Sequence, residues 1–418
     1  MNRVIESGPI APADRLAEGF ADHIAGWSRK LGADQAIQQV VSRAAAAVSQ
    51  ATSEGHVCLS LQEMAGDAAI GLDSTALREA LMASGVVGTP ELPGAMPLIL
   101  DDEGRLYLHR YFDYERRLAA RLMQAAHASQ AAPFEIDAAV RQQLDELFKS
   151  NEARLGGAVD WQKIAAALAL RGRLTIISGG PGTGKTTTVV NLLACLIAQN
   201  PDCRIALAAP TGKAAARMTE AIRQRAEHLP DALRARLPND SSTVHRLLGV
   251  TPAAGGFIHH AGHPLAIDVL VVDEASMLDL ALATRLLEAV PESARIILLG
   301  DKDQLSAVES GAVFAELSAD PGLSDAARHG LAALCGLAPD RIQPQTPVHL
   351  SPISDAVIWF TQNFRFAADS GIGRLAADIN GNRAKDAVAW LKSGAEDAIH
   401  WLDDGGATVG EATLQRLF

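Results

Sequence analysis

The sequence predicts an α/β fold: a parallel sheet with helices on both faces, preceded by a mostly helical N-terminal domain. Three observations predict it. Four short apolar runs, Leu174–Ser178, Arg204–Ala208, Asp268–Val272 and Arg295–Leu299, are separated by helix-length segments, the spacing of strand–helix–strand crossovers. Each run ends in a polar or Gly-rich cluster, and the ligand crevice of such sheets lies at the carboxyl ends of the strands. The first run leads straight into Gly179-Gly180-Pro181-Gly182-Thr183-Gly184-Lys185-Thr186, which satisfies GxxxxGK[ST] between a strand and a helix.

In chain order, Pro12–Trp27 carries Leu16, Phe20, Ile24 and Trp27 at helical spacing, and Gln38–Ser49 reads as a second helix. Pro97–Leu100 and Leu106–His109 flank Asp101-Asp102-Glu103-Gly104, a hairpin turn. A charged helix follows over Tyr114–Ala126, and Asn151–Gly157 reads as a hinge. These elements predict a helical, partner-docking domain over 1–150 and a P-loop domain over 151–320. Residues 321–352 form a connection holding one helix, around Asp325–Leu334. A last segment, 353–418, contains Asn363-Phe364-Arg365-Phe366 and a helix over Ile372–Ile379.

Composition narrows the classes. Among 418 residues, Lys+Arg 37 against Asp+Glu 49 gives a net charge of −12. Any nucleic-acid contact must therefore come from a local groove. Four cysteines without a CxxC predict neither a disulfide framework nor a thiolate zinc site, and fit a reducing cytoplasm. No apolar run approaches about 18 residues, so no membrane span is expected. The first twenty residues offer acids and prolines where a signal peptide needs an apolar core.

The chemistry concentrates at the strand ends. In the Gly-rich loop, backbone N–H groups turn toward phosphate oxygens and the helix N-terminus adds partial positive charge. Lys185 would reach the β- and γ-phosphates, and the Thr186 hydroxyl would bind Mg²⁺. Asp273, ending a strand, suits Mg²⁺ coordination, and Glu274 beside it suits a general base for the attacking water. Gln304, in Gly300-Asp301-Lys302-Asp303-Gln304, carries donor and acceptor and can sense the γ-phosphate. Arg365 can stabilise charge on the transferring phosphoryl group. His259, His260 and His263 cluster without an acidic or thiol partner at ligand spacing and read as a solvated loop.

Together these residues resemble superfamily 1 helicases, and within them the RecD-type alpha subunits of exodeoxyribonuclease V. The likeness rests on SGGPGTGKTTT, LAAPTGKAAARM, STVHRLLG, VVDEASM, LLGDKDQLSAVESG and NFRF, in family order over residues 155–385, and more weakly on LYLHRYFDYERRLA. The resemblance implies a RecA-like P-loop domain and, over 353–418, the start of a second one. It implies ATP and Mg²⁺ as cofactors, with Gly180, Pro181, Gly182, Thr183, Gly184, Lys185, Thr186 and Thr187 around the phosphates and Gln162 on the adenine. It implies that Pro210, Thr211, Gly212, Lys213, Thr243 and His245 line a single-strand DNA track. Lys185, Glu274, Gln304 and Arg365 carry catalysis in this reading, and Thr186 and Asp273 hold the metal. Lys213, Arg217, Arg246 and Lys302 are the candidate groove cations.

The family's further motifs are not found between Arg383 and Phe418, so a chain truncated within its second motor domain is expected. The implied function is ATP-driven 5′→3′ translocation on single-stranded DNA. The chain would work in the bacterial cytoplasm, with the beta and gamma subunits of a three-subunit helicase–nuclease that acts on double-strand breaks. The nuclease site would lie on a partner. Two other readings stay open from sequence: a nucleotide-switched assembly subunit, and a small-molecule kinase. Against the kinase stand Glu274 and the lack of a lid or acceptor-pocket sequence.

Overall fold

The structure, a computed structural model, describes residues 12–67, 70–131, 138–252, 255–304, 310–311, 313–343, 345, 351–365, 370–394 and 401. The 305–309 stretch of the LLGDKDQLSAVESG motif, Phe366 of NFRF, and 402–418 lie outside the described residues.

Helices Pro12–Lys30 and Gln35–Ser53 pack as a hairpin, the second capped by the Asp34 carboxylate, which accepts the Ile37 N–H at 2.8 Å. Ala21 and Ile24 of the first helix pack with Val41, Ala44, Ala45 and Val48 of the second, and Ala17 is buried on the same face. Leu16, expected on the buried stripe, is 67% exposed, and Trp27 is also exposed. The alanines let the two backbones approach, so the buried face lies one residue round from the large apolar side chains. Within this helical region sits a small sheet of β1 (Cys58–Ser60), β2 (Val87–Gly88), β3 (Leu98–Leu100) and β4 (Arg105–Leu108), ordered β1-β4-β3-β2. The expected hairpin is β3–β4, with Leu98 opposite Leu108 and Leu100 opposite Leu106. Gly104 closes its turn at φ +79, and the Asp101 carboxylate accepts the Arg105 N–H at 2.8 Å.

The second sheet is wholly parallel: β5 (Leu174–Gly179), β6 (Ile205–Ala209), β7 (Ser242–Thr243), β8 (Val269–Val272), β9 (Arg295–Gly300) and β10 (Val357–Phe360), ordered β10-β5-β9-β8-β6-β7. Its side chains alternate between two cores. Leu174, Ile176, Leu270, Val272, Ile296 and Leu298 face one, while Ile177, Leu207, Val269, Val271, Ile297 and Leu299 face the other. That double burial is why the strands read as continuous apolar runs.

Two expected boundaries move. Helix His109–Ala131 sends Leu118, Leu122, Ala125 and Ala126 into the first core, and helix Ala138–Leu155 sends Leu144 and Phe148 into the second. Both helices are layers of the P-loop domain rather than parts of a separate domain ending at 150. Likewise β10 pairs with β5, placing Ile358 beside Ile177. Residues 353–360 therefore complete the first sheet instead of opening a second domain at 353. Long sequence separation hid both facts, since the connection to β10 follows a Pro- and Gly-rich stretch that reads as a domain linker.

The two regions are joined by hydrogen bonds from Ser310 Oγ to the Thr52 carbonyl at 2.7 Å and from the Gly311 N–H to the Gly55 carbonyl at 3.0 Å. The Arg117 guanidinium pairs with the Glu288 carboxylate, 2.7 Å from Nε to Oε1, tying the long helix to helix Leu280–Ala289.

Candidate nucleotide-binding site

A cleft of about 800 Å³ opens at the carboxyl ends of β5, β8 and β9, and Gly180–Thr187, Gln162, Asp273, Glu274, Gln304 and Arg365 all line it. The loop after β5 turns through Gly182 at φ +85 and Gly184 at φ +86, backbone that L side chains rarely adopt. A Cβ on Gly184 would also stand 2.1 Å from Gln162 Nε2, and one on Gly182 would stand 2.8 Å from Asn363 Oδ1. Within the loop, the Thr183 hydroxyl donates to the Gly180 carbonyl at 2.8 Å.

The loop is gripped from both flanks. On one, Gln162 Nε2 donates to the Thr183 carbonyl at 2.8 Å. On the other, Asn363 Nδ2 donates to the Pro181 carbonyl at 2.7 Å and the Phe364 N–H to the Gly182 carbonyl at 2.9 Å. Arg365 thus reaches the cleft from the loop after β10, on the edge of the same sheet. It was expected to arrive from a second domain; the pairing of β10 with β5 removes that need.

Lys185 begins helix Lys185–Gln199, and its ammonium donates to the carbonyls of Gly179 and, at 3.3 Å, Gly180. Burial pulls its pKa down, and the charges of Asp301, Asp273 and Glu274 oppose that. Asp273 ends β8, and burial raises its carboxyl above the ordinary Asp range despite the Glu274 N–H donating to it at 2.9 Å. Glu274 itself is left-handed, at φ 53 and ψ 38. A non-glycine residue held there stores strain, a feature that clusters at functional sites. The Thr186 hydroxyl makes no hydrogen bond among the described residues.

The expected DNA-track residues lie on the same edge of the sheet, further along it. Thr211 follows β6 and Thr243 ends β7, and Ala209 and Thr243 are register partners. β6 lies three strands from β5, about 14 Å at the usual strand spacing. Each threonine hydroxyl caps a helix, accepting from the Ala214 N–H and the Arg246 N–H respectively, both at 3.2 Å. Lys213 and Arg246 are exposed, and the exposed His245 lies against Phe257 with ring centroids 5.9 Å apart. Of the other candidate cations, Arg217 lines the nucleotide cleft, and Lys302 lies 4.8 Å from the Trp359 ring centroid and 2.7 Å from Asp303. His259 and His263 stack at 5.0 Å, and no group of three or more metal-ligating residues is found among the described residues.

Several site residues escaped the sequence reading. Asp301 is buried beside Lys185, and its place in Gly300-Asp301-Lys302-Asp303-Gln304, three residues before Gln304, is the signal that marks it. Arg154 lies 4.2 Å from the Phe364 ring centroid at the cleft wall, and Arg225 Nε donates to Thr187 Oγ1 at 2.7 Å. Neither carries a local motif.

A Gly-rich loop wrapped on a helix N-terminus, with an acidic pair after β8, two strands away in the same parallel sheet, defines a P-loop NTPase. Residues 162–310 match the family model described as an AAA domain, and residues 16–107 match the N-terminal domain of RecBCD enzyme subunit RecD. Over about two thirds of its length the chain is similar to RecD subunits. RecBCD enzyme subunit RecD of Haemophilus influenzae is 37% identical over 293 residues, covering 68% of this chain and 44% of that protein. The subunit of the same name from Mycolicibacterium smegmatis is 40% identical over 290 residues, 66% of this chain and 48% of that one. The ATP-dependent RecD2 DNA helicase of Deinococcus radiodurans is 38% identical over 209 residues, 50% of this chain and 25% of that one. This chain spans less than half the length of these relatives. The structure of Pif1 helicase from Candida albicans aligns at 16% identity with a TM-score of 0.29, over 56% of this chain and 46% of that one, and supports no conclusion.

Proposed function

We propose that this chain carries the ATP site and part of the single-strand track of a 5′→3′ DNA helicase subunit. That subunit works in a helicase–nuclease with the beta and gamma subunits of exodeoxyribonuclease V, in bacterial double-strand-break repair and recombination. The observation that carries the reading is the convergence of Lys185, Asp273, Glu274, Gln304 and Arg365 on one cleft of a chain similar to RecD subunits.

In this reading the loop amides and Lys185 hold the phosphates. Glu274 orients the attacking water and takes its proton, and Arg365 faces the charge that develops on the γ-phosphoryl group. Gln304 senses that group. Hard oxygen donors suit Mg²⁺, and the unengaged Thr186 hydroxyl and the half-buried Asp273 carboxyl, lining one cleft, fit it. When bound, Mg²⁺ would neutralise charge on the β- and γ-phosphate oxygens. Thr211, Gly212, Lys213, Thr243 and His245 would meet DNA phosphates and a base at the other end of the sheet edge. Nuclease chemistry belongs to a partner. Among the described residues no helix is long and apolar enough to cross a membrane.

The test is ATP hydrolysis by the purified chain with and without single-stranded DNA, with Lys185→Gln as the blank. Stimulation by DNA that disappears in the blank is the expected result. Binding of ATP with no response to DNA would sink the coupled-motor reading for this chain.

A further inference from the structure

We infer that Asn151 is a positioning residue that makes the site selective for adenine over guanine, by locking the side-chain amide of Gln162 in one orientation. The inference rests on the reading of the cleft as an ATP site with Gln162 on the base.

The lock is a chain of hydrogen bonds that begins at a fixed carboxylate. Asp160 caps helix Trp161–Arg171, its Oδ1 accepting the N–H groups of Gln162 at 3.0 Å and Lys163 at 3.1 Å. Asn151, from helix Ala138–Leu155, uses both hydrogens of one nitrogen. Nδ2 donates to Asp160 Oδ2 and to Gln162 Oε1, each at 2.9 Å. Gln162 Nε2 then donates to the Thr183 carbonyl of the phosphate loop at 2.8 Å. Asn151 is 5% exposed and Gln162 7%, so water does not substitute for these partners.

Each link fixes the next. Turning the Asn151 amide would bring its oxygen against the Asp160 carboxylate. Turning the Gln162 amide would set its nitrogen against Asn151 Nδ2 and its oxygen against the Thr183 carbonyl. Both turns replace attractive contacts with like-to-like ones and strand buried polar atoms, which is costly. In the locked orientation Gln162 keeps one lone pair on Oε1 and one hydrogen on Nε2. Adenine offers the complement, an N6 amino donor beside the N7 acceptor, whereas guanine offers two acceptors, O6 and N7. A freely turning carboxamide would tolerate either base by presenting its nitrogen to O6. Residue 151 lies outside both matched family regions, 16–107 and 162–310, so the orientation of Gln162 is assigned to a helix outside them that covers one face of the P-loop sheet.

The experiment compares the binding of ATP, GTP and inorganic tripolyphosphate, each with Mg²⁺, by calorimetry on the full chain and on Asn151→Ala, Asn151→Thr and Gln162→Ala. Thr keeps one donor, which the charged Asp160 takes, leaving Gln162 unheld in a side chain of similar bulk; it carries the test if the Ala variant does not fold. The wild-type chain is expected to prefer ATP, and both Asn151 variants to lose about tenfold of that preference, the worth of one mispaired buried hydrogen bond. Tripolyphosphate affinity should stay within about twofold. Equal weakening of all three ligands would reduce Asn151 to a structural role and overturn the inference. So would an unchanged preference in the Asn151 variants while Gln162→Ala abolishes it, leaving the ATP site intact. A wild-type chain that binds tripolyphosphate but does not discriminate between the bases refutes the base-reading role itself, and one that binds none of the three refutes the nucleotide site.

Discussion

Glu274 occupies left-handed backbone at φ 53, which costs an L side chain on the order of 1–3 kcal/mol. Glycine takes that conformation without strain. Glu274→Gly should therefore hold or raise the thermal midpoint while removing the base, and Glu274→Gln should keep ATP binding and lower hydrolysis by about 10²–10⁴-fold. Paired melting and turnover assays check both; normal hydrolysis by either variant would end the base assignment. Asp273 makes a pH-dependent prediction. Burial raises its carboxyl in the folded chain, so the folded state holds that proton more tightly than the unfolded one. Stability is then lost as pH rises through the window from the ordinary Asp value of 3.8 up to the raised folded value, and the cost is complete above it. Asp273→Asn should accordingly raise the melting temperature at neutral pH, with the gain shrinking toward pH 4, and should remove the Mg²⁺ dependence of ATP binding. A gain that grew on acidification would reverse the sign of this argument.

The phosphate loop shows how an element carries more than its own motif. Gly184 is required twice, by its φ of +86 and by Gln162 Nε2 standing 2.1 Å from where a Cβ would be. Gly184→Ala should destabilise the chain by more than the roughly 1 kcal/mol expected from backbone strain alone, and should weaken ATP more than tripolyphosphate as Gln162 is displaced. Thermal unfolding and the same calorimetric comparison read both effects. The GxxxxGK[ST] spacing made this loop legible, and double burial made β5, β6, β8 and β9 legible to within a residue. The two-residue strands β2 and β7 are too short for any periodicity to show. Gln162 was found only through family likeness, because one polar residue opening an Ala-rich helix has no pattern of its own. Thr211 and Thr243 show a different limit: a cap and a phosphate contact call for the same hydroxyl after the same strand. Thr211→Ala should cost about 1 kcal/mol through the lost cap, whereas Thr211→Asn should restore the cap; single-strand affinity that follows the cap in both variants would withdraw the separate DNA role.

At the scale of the whole molecule, the order of domains along the chain is not their order in space. Sequence texture changes at Trp161, yet the P-loop sheet is sandwiched between helices His109–Ala131 and Ala138–Leu155, one on each face. A local reading has no access to this, since a helix that covers a distant sheet looks like any amphipathic helix of its own neighbourhood. The N-terminal hairpin and small sheet instead form their own core, which includes Ile24, Val48, Leu77, Leu98 and Leu106. Truncation separates these two architectures. A chain beginning at His109 keeps both covering helices and the Asn151 lock, and should run free of aggregates, melt cooperatively and bind ATP. A chain beginning at 156 uncovers Leu174 and Ile176 where Leu118 and Leu122 pack, and Ile177 on the face where Leu144 and Phe148 pack. Baring that much apolar surface on both faces of a parallel sheet should produce aggregation rather than a weaker binder. Size-exclusion chromatography and melting of the two chains side by side decide it. A soluble, ATP-binding chain from 156 would mean that the helices merely decorate the sheet, and with them Asn151 would lose its place in the nucleotide site.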